Sequence, residues 1–116
     1  MAIQEDLALI ITSNGIGEGA TADLGEKLLG SYLKTLLESE RLPARIIFMN
    51  AGIFATTEGT SYLETLQGFE AAGTEILSCL TCLKYFDRVD KLVVGKQGNM
   101  RDTVEASLGA SKVLTF

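Results

Sequence analysis

The sequence predicts an α/β fold, a three-layer α/β/α sandwich around a five-stranded, mainly parallel sheet. Five short apolar runs recur along the chain, and most are continuous rather than alternating, which is typical of strands covered on both faces. Longer amphipathic segments separate these runs, as expected for right-handed β-α crossovers. No linker, repeat or low-complexity tract divides the 116 residues. We therefore expect a single domain over residues 1–116.

The predicted strands are the five apolar runs. They read "LALIIT", "RIIFMN", "TEILS", "KLVVG" and "KVLTF", at positions 7–12, 45–50, 74–78, 91–95 and 112–116. The first long helix should begin near Thr21, which suits an N-cap position. The second should open at Ser61, with Glu64 at capping-box spacing, and stop near Gly73. A short helical turn should follow "SC", and the last helix should run from "NMRD" to Gly109.

Composition excludes several classes of function. A net charge of −5 without a basic cluster argues against nucleic acid or an anionic membrane as a partner. The chain has no histidine, which removes Ser-His-Asp and Cys-His catalysis and the usual zinc-enzyme ligand sets. Any chemistry must then use cysteine, carboxylate, lysine or backbone groups.

The predicted compartment is the cytoplasm. The N-terminal stretch "MAIQEDLALIIT" lacks the basic region and cleavage site of a signal peptide. The uncharged apolar runs are much shorter than the ~20 residues of a transmembrane helix. The two cysteines should then be kept reduced.

A site is expected beyond the carboxyl ends of the strands, where open α/β sheets bind ligands. The loops at those ends read "SNGIGEG", "NAGIFATTEG", "SCLTC" and "GKQGN". They contain both cysteines, the candidate catalytic residues Cys79 and Cys82. The candidate substrate-binding residues are the asparagines and glycines of the same loops: Asn14, Gly15, Asn50, Gly52 and Gly95.

The first of these loops formally matches a relaxed dinucleotide fingerprint through Gly15, Gly17 and Ala20. That fingerprint also requires an acidic residue closing the second strand. Here the second predicted strand ends in Asn50, with no carboxylate beside it. A flexible strand-to-helix turn is the preferred interpretation, and a Walker A loop is excluded because no Gly-Lys-Ser/Thr is present.

The Cys79-x-x-Cys82 pair admits several interpretations. Two cysteines without histidine cannot complete a structural zinc site within one chain, so no metal is expected. The pair could be two small buried core residues. Thiol chemistry is favoured because Cys79 follows a strand where a short helix begins, and amide groups at helix starts stabilise thiolates. Cys82 could close a disulfide with Cys79 or resolve a persulfide on it.

The segment "EILSCLTCLKYF" is similar to the Glu-Ile-Leu-x-Cys-Gly-Thr-Cys-Leu segment of the DsrE-like domain in YedF-type selenium-metabolism proteins. The likeness extends to "LPARIIFMNAG", "TTEG" and "KLVVGKQGNMRDTVEASL". It implies a DsrE-like fold and sulfurtransferase-like sulfur relay, with no organic cofactor. Cys79 matches the cysteine that holds sulfur as a persulfide, and Cys82 matches the second cysteine of the YedF group.

The resemblance also implies partners: a persulfide donor or acceptor protein of the SirA/TusA-like kind, and further copies of the chain in a trimer or hexamer. Two departures bear on the site. Leu80 stands where the family has glycine between the cysteines, and Asp87 stands near another expected glycine. The SirA/TusA-like domain that commonly precedes the YedF-type domain is absent from the sequence, which is a stand-alone version or a piece of a longer protein.

Three functions therefore remain open. The leading one is a carrier that holds sulfur or selenium as a persulfide on Cys79, with Cys82 assisting. The second is a dithiol/disulfide redox protein that cycles the same pair. The third is a non-catalytic oligomeric binding module, in which Asn14, Asn50 and the glycine amides matter more than the thiols.

Overall fold

Five parallel strands form one sheet in the order β4-β3-β2-β1-β5 in a computed structural model that describes residues 2–17 and 21–116. The strands are β1 (Ala2–Ile11), β2 (Arg41–Phe48), β3 (Glu75–Cys79), β4 (Lys96–Gly98) and β5 (Lys112–Thr115). The helices are α1 (Ala22–Glu38), α2 (Leu63–Ala72), α3 (Leu80–Tyr85) and α4 (Met100–Gly109), with 3₁₀ turns at Asn50–Ala55 and Val89–Lys91. The predicted three-layer α/β fold is confirmed, and all the strand pairs are parallel.

The two faces of the sheet bury different helices because neighbouring strand residues point to opposite sides. Ile46 and Ile76 belong to the main core with side chains of α1, α2 and α3. Their neighbours Ile47 and Leu77 pack instead against Ala106 of α4. One face therefore carries three helices, and the other carries a single helix.

Right-handed crossovers explain this arrangement. The chain moves in one direction across the sheet from β1 to β2, β3 and β4, which places α1, α2 and α3 on the same face. It then returns from the β4 edge to β5 beside β1, in the opposite direction, so the connecting helix α4 lies on the other face. Because every strand is parallel, all the strand-to-helix loops meet at one edge of the sheet.

Most of the helix ends agree with those predicted from the sequence, and one differs. Thr21 caps α1, Gly73 ends α2 in the left-handed region with φ 108°, and α4 begins with a capping box on Asn99. The predicted capping box at Ser61 is wrong. The helix α2 begins at Leu63, and the Ser61 hydroxyl donates instead to the Glu26 carboxylate of α1.

The predicted fourth strand, 91–95, is wrong because its backbone pairs elsewhere. The Val93 N–H donates to the carbonyl of Thr56, and Leu92 bridges Thr57 in an antiparallel sense. Val94 is buried in the core, so the apolar character that suggested a strand serves packing. Gly95, with φ 75°, turns the chain into the short strand β4 that pairs with β3.

The first two strands are longer than the apolar runs that predicted them. The additional residues begin with the pair Ala2 and Arg41, and the register of β1 against β2 shifts between Gln4 and Ala8. Pro43 lies opposite Gln4 at this irregularity. A proline has no N–H to donate, and bulges are among the few places in a sheet that accept one.

Candidate functional site: a thiol pocket at the carboxyl edge of the sheet

An open pocket of about 400 Å³ lies at the carboxyl ends of the strands. We call it the thiol pocket, and its lining residues come from the ends of β1 and β2 and from α3: Thr12, Met49, Asn50, Thr81, Cys82, Tyr85 and Phe86. None of these side chains carries a formal charge at neutral pH, and most of the lining is apolar. The pocket therefore suits an uncharged or apolar group near a thiol.

Cys82 presents its sulfur to the thiol pocket. The side chain is half-buried in the first turn of α3, and its Sγ accepts a hydrogen bond from the Asn50 N–H at 3.1 Å. Asn50 has φ 52°, in the left-handed region that asparagine tolerates better than most residues. The sharp turn after β2 thus directs a backbone donor at the sulfur.

Cys79 occupies a more enclosed position than Cys82, with which its side chain interacts. It is the last residue of β3 and precedes the first residue of α3, and only 7% of its surface is exposed. It is not among the residues that line the thiol pocket, and its side chain makes no capping hydrogen bond to α3. The backbone donor that reaches a sulfur here, Asn50 N–H, serves Cys82.

The pKa of Cys82 is raised above the ordinary value of 9.0. Burial is the largest cause, and interaction with the neighbouring Cys79 side chain adds to it, whereas the Asn50 N–H lowers the pKa. Burial disfavours the charged thiolate because it removes water from around the sulfur. At neutral pH Cys82 is therefore mainly a protonated thiol. One backbone donor, the Asn50 N–H, stabilises the small fraction that is ionised.

The "TTEG" segment, residues 56–59, is anchored by hydrogen bonds beside the end of β3. The buried hydroxyls of Thr56 and Ser78 hydrogen-bond at 2.6 Å, which ties the segment to β3 immediately before Cys79. Thr57 donates to the carbonyl of Ile53, and Arg88 donates to the Thr57 hydroxyl, each at 3.0 Å. Buried hydroxyls need such partners, so the contacts of this segment are those of a structural brace.

An aromatic wall, formed by Phe86 and the Phe54 ring packed against it, borders the thiol pocket. Phe86 lines the pocket and meets Phe54 edge-on, with ring centroids 4.9 Å apart. The guanidinium of Arg88 lies over the Phe54 ring at 4.7 Å from its centroid. Edge-to-face pairs and cation–π contacts are each worth about 0.5–1.5 kcal/mol, so Phe86 is held in place by Phe54 and Arg88.

The candidate binding residues are only partly brought together. Asn50 lines the pocket. Gly52 packs without room for a side chain against the Ile11 carbonyl, and a Cβ on Gly15 would lie 2.7 Å from the backbone carbon of Gly25 in α1. Gly95 packs similarly on Ile76, and its N–H donates to Glu70. The glycines serve close backbone packing, and their part in substrate binding stays a prediction.

Asn14 lies beside the loop that carries the glycine fingerprint. Its carbonyl accepts a hydrogen bond from the Tyr62 hydroxyl at 3.0 Å. Its buried Oδ1 finds no hydrogen-bond donor among residues 2–17 and 21–116. Ala20, the last position of the fingerprint, falls outside the described residues.

The two departures from the family pattern fit their positions. Leu80 is the first residue of α3, where the helical conformation imposes no need for glycine. Asp87 has φ 57°, in the left-handed region that favours glycine and that aspartate also tolerates. The loop after α3 therefore keeps the turn that a glycine would make.

Sequence reasoning missed the walls of the pocket. Met49, Tyr85 and Phe86 were not among the candidate site residues, yet all three line the pocket. The signal that was available is the adjacency of two aromatic residues to the cysteine pair in "CLTCLKYF". With a helix following Cys79, residues three and four positions after Cys82 fall on its side of the helix.

Over residues 2–17 and 21–116, no group of three or more histidine, cysteine, aspartate or glutamate side chains could hold a metal ion. No helix within those residues is both long and apolar enough to cross a bilayer.

The sheet order and the helices on both faces define a DsrE-like fold. No family model matches the chain, and no curated protein does. The fold is instead shared with solved structures that cover nearly the whole chain.

One is the ychN protein from E. coli, at 17% identity and a TM-score of 0.66, over 97% of this chain and 100% of the other. A second is MTH1491 from Methanobacterium thermoautotrophicum, a protein of unknown function, at 12% identity and a TM-score of 0.68, over 94% and 97% of the two chains. A third is BT1422 from Bacteroides thetaiotaomicron, a conserved protein of unknown function, at 17% identity and a TM-score of 0.60, over 96% and 95%. These likenesses concern the fold, and the activity has to be argued from the site.

Proposed function

We propose that the chain is a sulfur carrier of the sulfurtransferase-like kind, which holds a sulfur atom as a persulfide on its Cys79/Cys82 pair. The observation that carries the proposal is the position of the Cys82 sulfur, in the wall of an open pocket and hydrogen-bonded by the Asn50 N–H. A persulfide extends one sulfur atom beyond Sγ, and the pocket offers space for that atom and for part of its donor. Selenium would occupy the same place.

The surroundings of the pair support sulfur chemistry over metal or acid–base chemistry. The pocket has no charged side chain in its lining, so it favours uncharged sulfane sulfur over an anionic substrate. A backbone N–H at 3.1 Å from Sγ stabilises negative charge that develops on the sulfur during transfer. The brace made by the "TTEG" segment keeps β3 and α3, which carry the two cysteines, in fixed relative positions.

The raised pKa of Cys82 matters for selectivity. A thiol that is mainly protonated reacts slowly with general oxidants, because the thiolate is the nucleophile. Transfer to it then depends on the donor, since exchange is faster when the leaving thiol has a low pKa. A carrier with this property accepts sulfur from a suitable donor and otherwise stays reduced.

Loading can be tested with benzyl persulfide, a donor whose aromatic ring suits the apolar walls of the thiol pocket. The chain is incubated with the donor, alkylated at a series of times and measured by intact mass spectrometry. We expect the wild type to gain the mass of one sulfur atom and the Cys79→Ser/Cys82→Ser double variant to gain none. Equal gain by both, or gain by neither, would contradict the proposal.

A charge placed in the pocket provides the matched control. Met49→Asp keeps both sulfurs but puts a carboxylate in the wall, and it should slow loading by roughly tenfold, or ~1.4 kcal/mol in the barrier. Met49→Leu keeps the wall apolar and should load at the wild-type rate. Equal rates for the two variants would mean that the donor does not use the thiol pocket.

A dithiol/disulfide redox function is the second candidate, because Cys79 interacts directly with Cys82 and raises its pKa. Such a protein would exchange electrons with partner thiols and would carry no extra sulfur atom. The reduction potential of the pair separates the two functions. If the pair is a redox couple, its reduction potential should lie within the range of thiol–disulfide oxidoreductases, roughly −120 to −270 mV. The chain should then show no persulfide after incubation with the donor.

We propose SirA/TusA-like donor or acceptor proteins and further copies of this chain as partners. The surface of α4 offers a contact for assembly: Met100, Val104 and Leu108 are exposed apolar residues at helical spacing. Contiguous exposed apolar residues of this kind mark interaction sites. Light scattering should show an oligomer that Leu108→Lys dissociates.

A further inference from the structure

We propose that the two cysteines act in a fixed order, with Cys82 as the thiol that receives sulfur and Cys79 as the thiol that releases it as hydrogen sulfide. This inference rests on the proposed sulfur-carrier function and refines it. It reverses the order expected from the family resemblance, in which Cys79 is the acceptor. It also gives the pair a second product, sulfide, besides the persulfide that a partner thiol could collect.

Access decides which thiol meets a donor first. Cys82 belongs to the lining of the thiol pocket, whereas Cys79, the last residue of β3, is 7% exposed and is not part of that lining. A donor persulfide must bring its outer sulfur into line with the attacking sulfur, which needs open space on one side of the nucleophile. That space exists in front of Cys82.

Stabilisation of charge points to the same residue. The Asn50 N–H donates to the Cys82 sulfur at 3.1 Å, and it is placed to stabilise the thiolate that attacks the donor. The side chain of Cys79 makes no capping hydrogen bond with the N–H groups of α3. The Cys82 sulfur therefore has both access to the thiol pocket and a hydrogen bond from a backbone N–H.

The burial of Cys79 suits a resolving thiol. Residues three apart at a helix start lie on the same side, and Cys79 acts on the pKa of Cys82 through a direct side-chain interaction. A persulfide on Cys82 therefore has an internal thiol beside its inner sulfur. Burial shields Cys79 from outside thiols while leaving this one partner within reach.

The chemistry balances without an added oxidant. In the first step the Cys82 thiolate attacks the outer sulfur of the donor persulfide, a new S–S bond forms, and the donor leaves as a thiol that takes up a proton. In the second step the Cys79 thiolate attacks the Cys82 Sγ. The bond from Sγ to the outer sulfur breaks, hydrosulfide leaves and is protonated, and a Cys79–Cys82 disulfide forms. The two thiols are oxidised, and the sulfane sulfur is reduced to sulfide.

Single cysteine variants test this order with benzyl persulfide as the donor. Intact mass after alkylation measures how much sulfur each variant carries, and a sulfide assay measures what it releases. The wild type should be loaded transiently and then release one sulfide per chain, ending as the internal disulfide. Cys79→Ser should load and keep its extra sulfur without releasing sulfide. Cys82→Ser should load at least about tenfold more slowly than Cys79→Ser, because its remaining thiol is enclosed.

Cys79→Ala repeats the Cys79 test with a side chain that cannot form new hydrogen bonds, and circular dichroism shows that each variant is folded. Loading of Cys82→Ser as fast as or faster than that of Cys79→Ser and Cys79→Ala would overturn the order while leaving the carrier function intact. Persistent persulfide on the wild type without sulfide release would overturn the resolving role. The absence of loading in the wild type and in every variant would overturn the carrier function itself.

Discussion

Two concave surfaces of nearly equal size lie on different parts of this molecule. The thiol pocket, of about 400 Å³, lies at the carboxyl edge of the sheet, and a charged groove of about 390 Å³ lies on the face covered by α4. In the groove, the Glu75 carboxylate is held between Arg45 and Lys96, at 3.0 Å from each. In the thiol pocket, a sulfur faces an uncharged wall.

The difference teaches that size does not identify a site in this fold. In the groove, Glu75 of β3 pairs with Arg45 of β2 and Lys96 of β4, and exposed ion pairs of this kind contribute only about 0–1 kcal/mol. The thiol pocket contains a nucleophile and a backbone donor aimed at it. The groove is explained by the single helix on that face, which leaves part of the sheet to polar side chains.

The largest effect on stability is expected from a substitution at the carboxyl edge of the sheet. Gly52 packs on the Ile11 carbonyl so closely that a Cβ would overlap it, and Gly52→Ala should lower the free energy of unfolding by about 1–3 kcal/mol. It should also disturb the Asn50 turn and slow reaction at Cys82. Urea denaturation measures the first effect.

Gly109→Ala is the control, since a Cβ there meets nothing within 4 Å. It should leave the free energy of unfolding unchanged or raise it slightly, because alanine is the better helix former. An equal loss in both variants would show that Gly52 does not fix this edge.

A smaller effect is expected at Tyr62, which ties the first loop to α1. Its hydroxyl lies 3.0 Å from the Asn14 carbonyl and 3.2 Å from that of Glu26. Tyr62→Phe should cost about 1 kcal/mol of unfolding free energy. Tyr85→Phe, at an exposed position, should cost nothing measurable.

Tyr62 also predicts a dependence on pH. Burial, followed by the charge of Glu26, raises its pKa from 10.0 to about 12. Between these values the folded chain keeps a proton that the unfolded chain has lost, so stability falls as the pH rises through that window. Stability of Tyr62→Phe should fall less over the same range; identical curves would contradict this account.

The smallest effect is expected in the charged groove. Glu75→Gln removes the carboxylate shared by Arg45 and Lys96, and its cost should stay within about 0–1 kcal/mol because all three side chains are partly exposed. Reaction at Cys82 should be unchanged. A large fall in thiol reactivity would mean that the two surfaces are coupled through β3.

The sequence predicted the layers of the fold well because continuous apolar runs and helix caps are local signals. It predicted the wrong fourth strand, since nothing local shows that 91–95 pairs with the "TTEG" segment and that Gly95 turns the chain afterwards. The cysteine pair was predicted as the site from its spacing and its place after a strand, and its function stays a prediction. The difference in exposure between the two thiols could not be predicted, because it depends on the Asn50 turn and on the aromatic residues packed around α3.

The order of the two thiols is tested most directly by alkylating the folded chain with iodoacetamide and mapping the modified cysteine at early times. We predict that Cys82 is modified first, at least about tenfold faster than Cys79, because reaction requires access to the sulfur. The pH midpoint of its modification should lie above the ordinary value of 9.0. Modification of Cys79 before Cys82 would contradict the account.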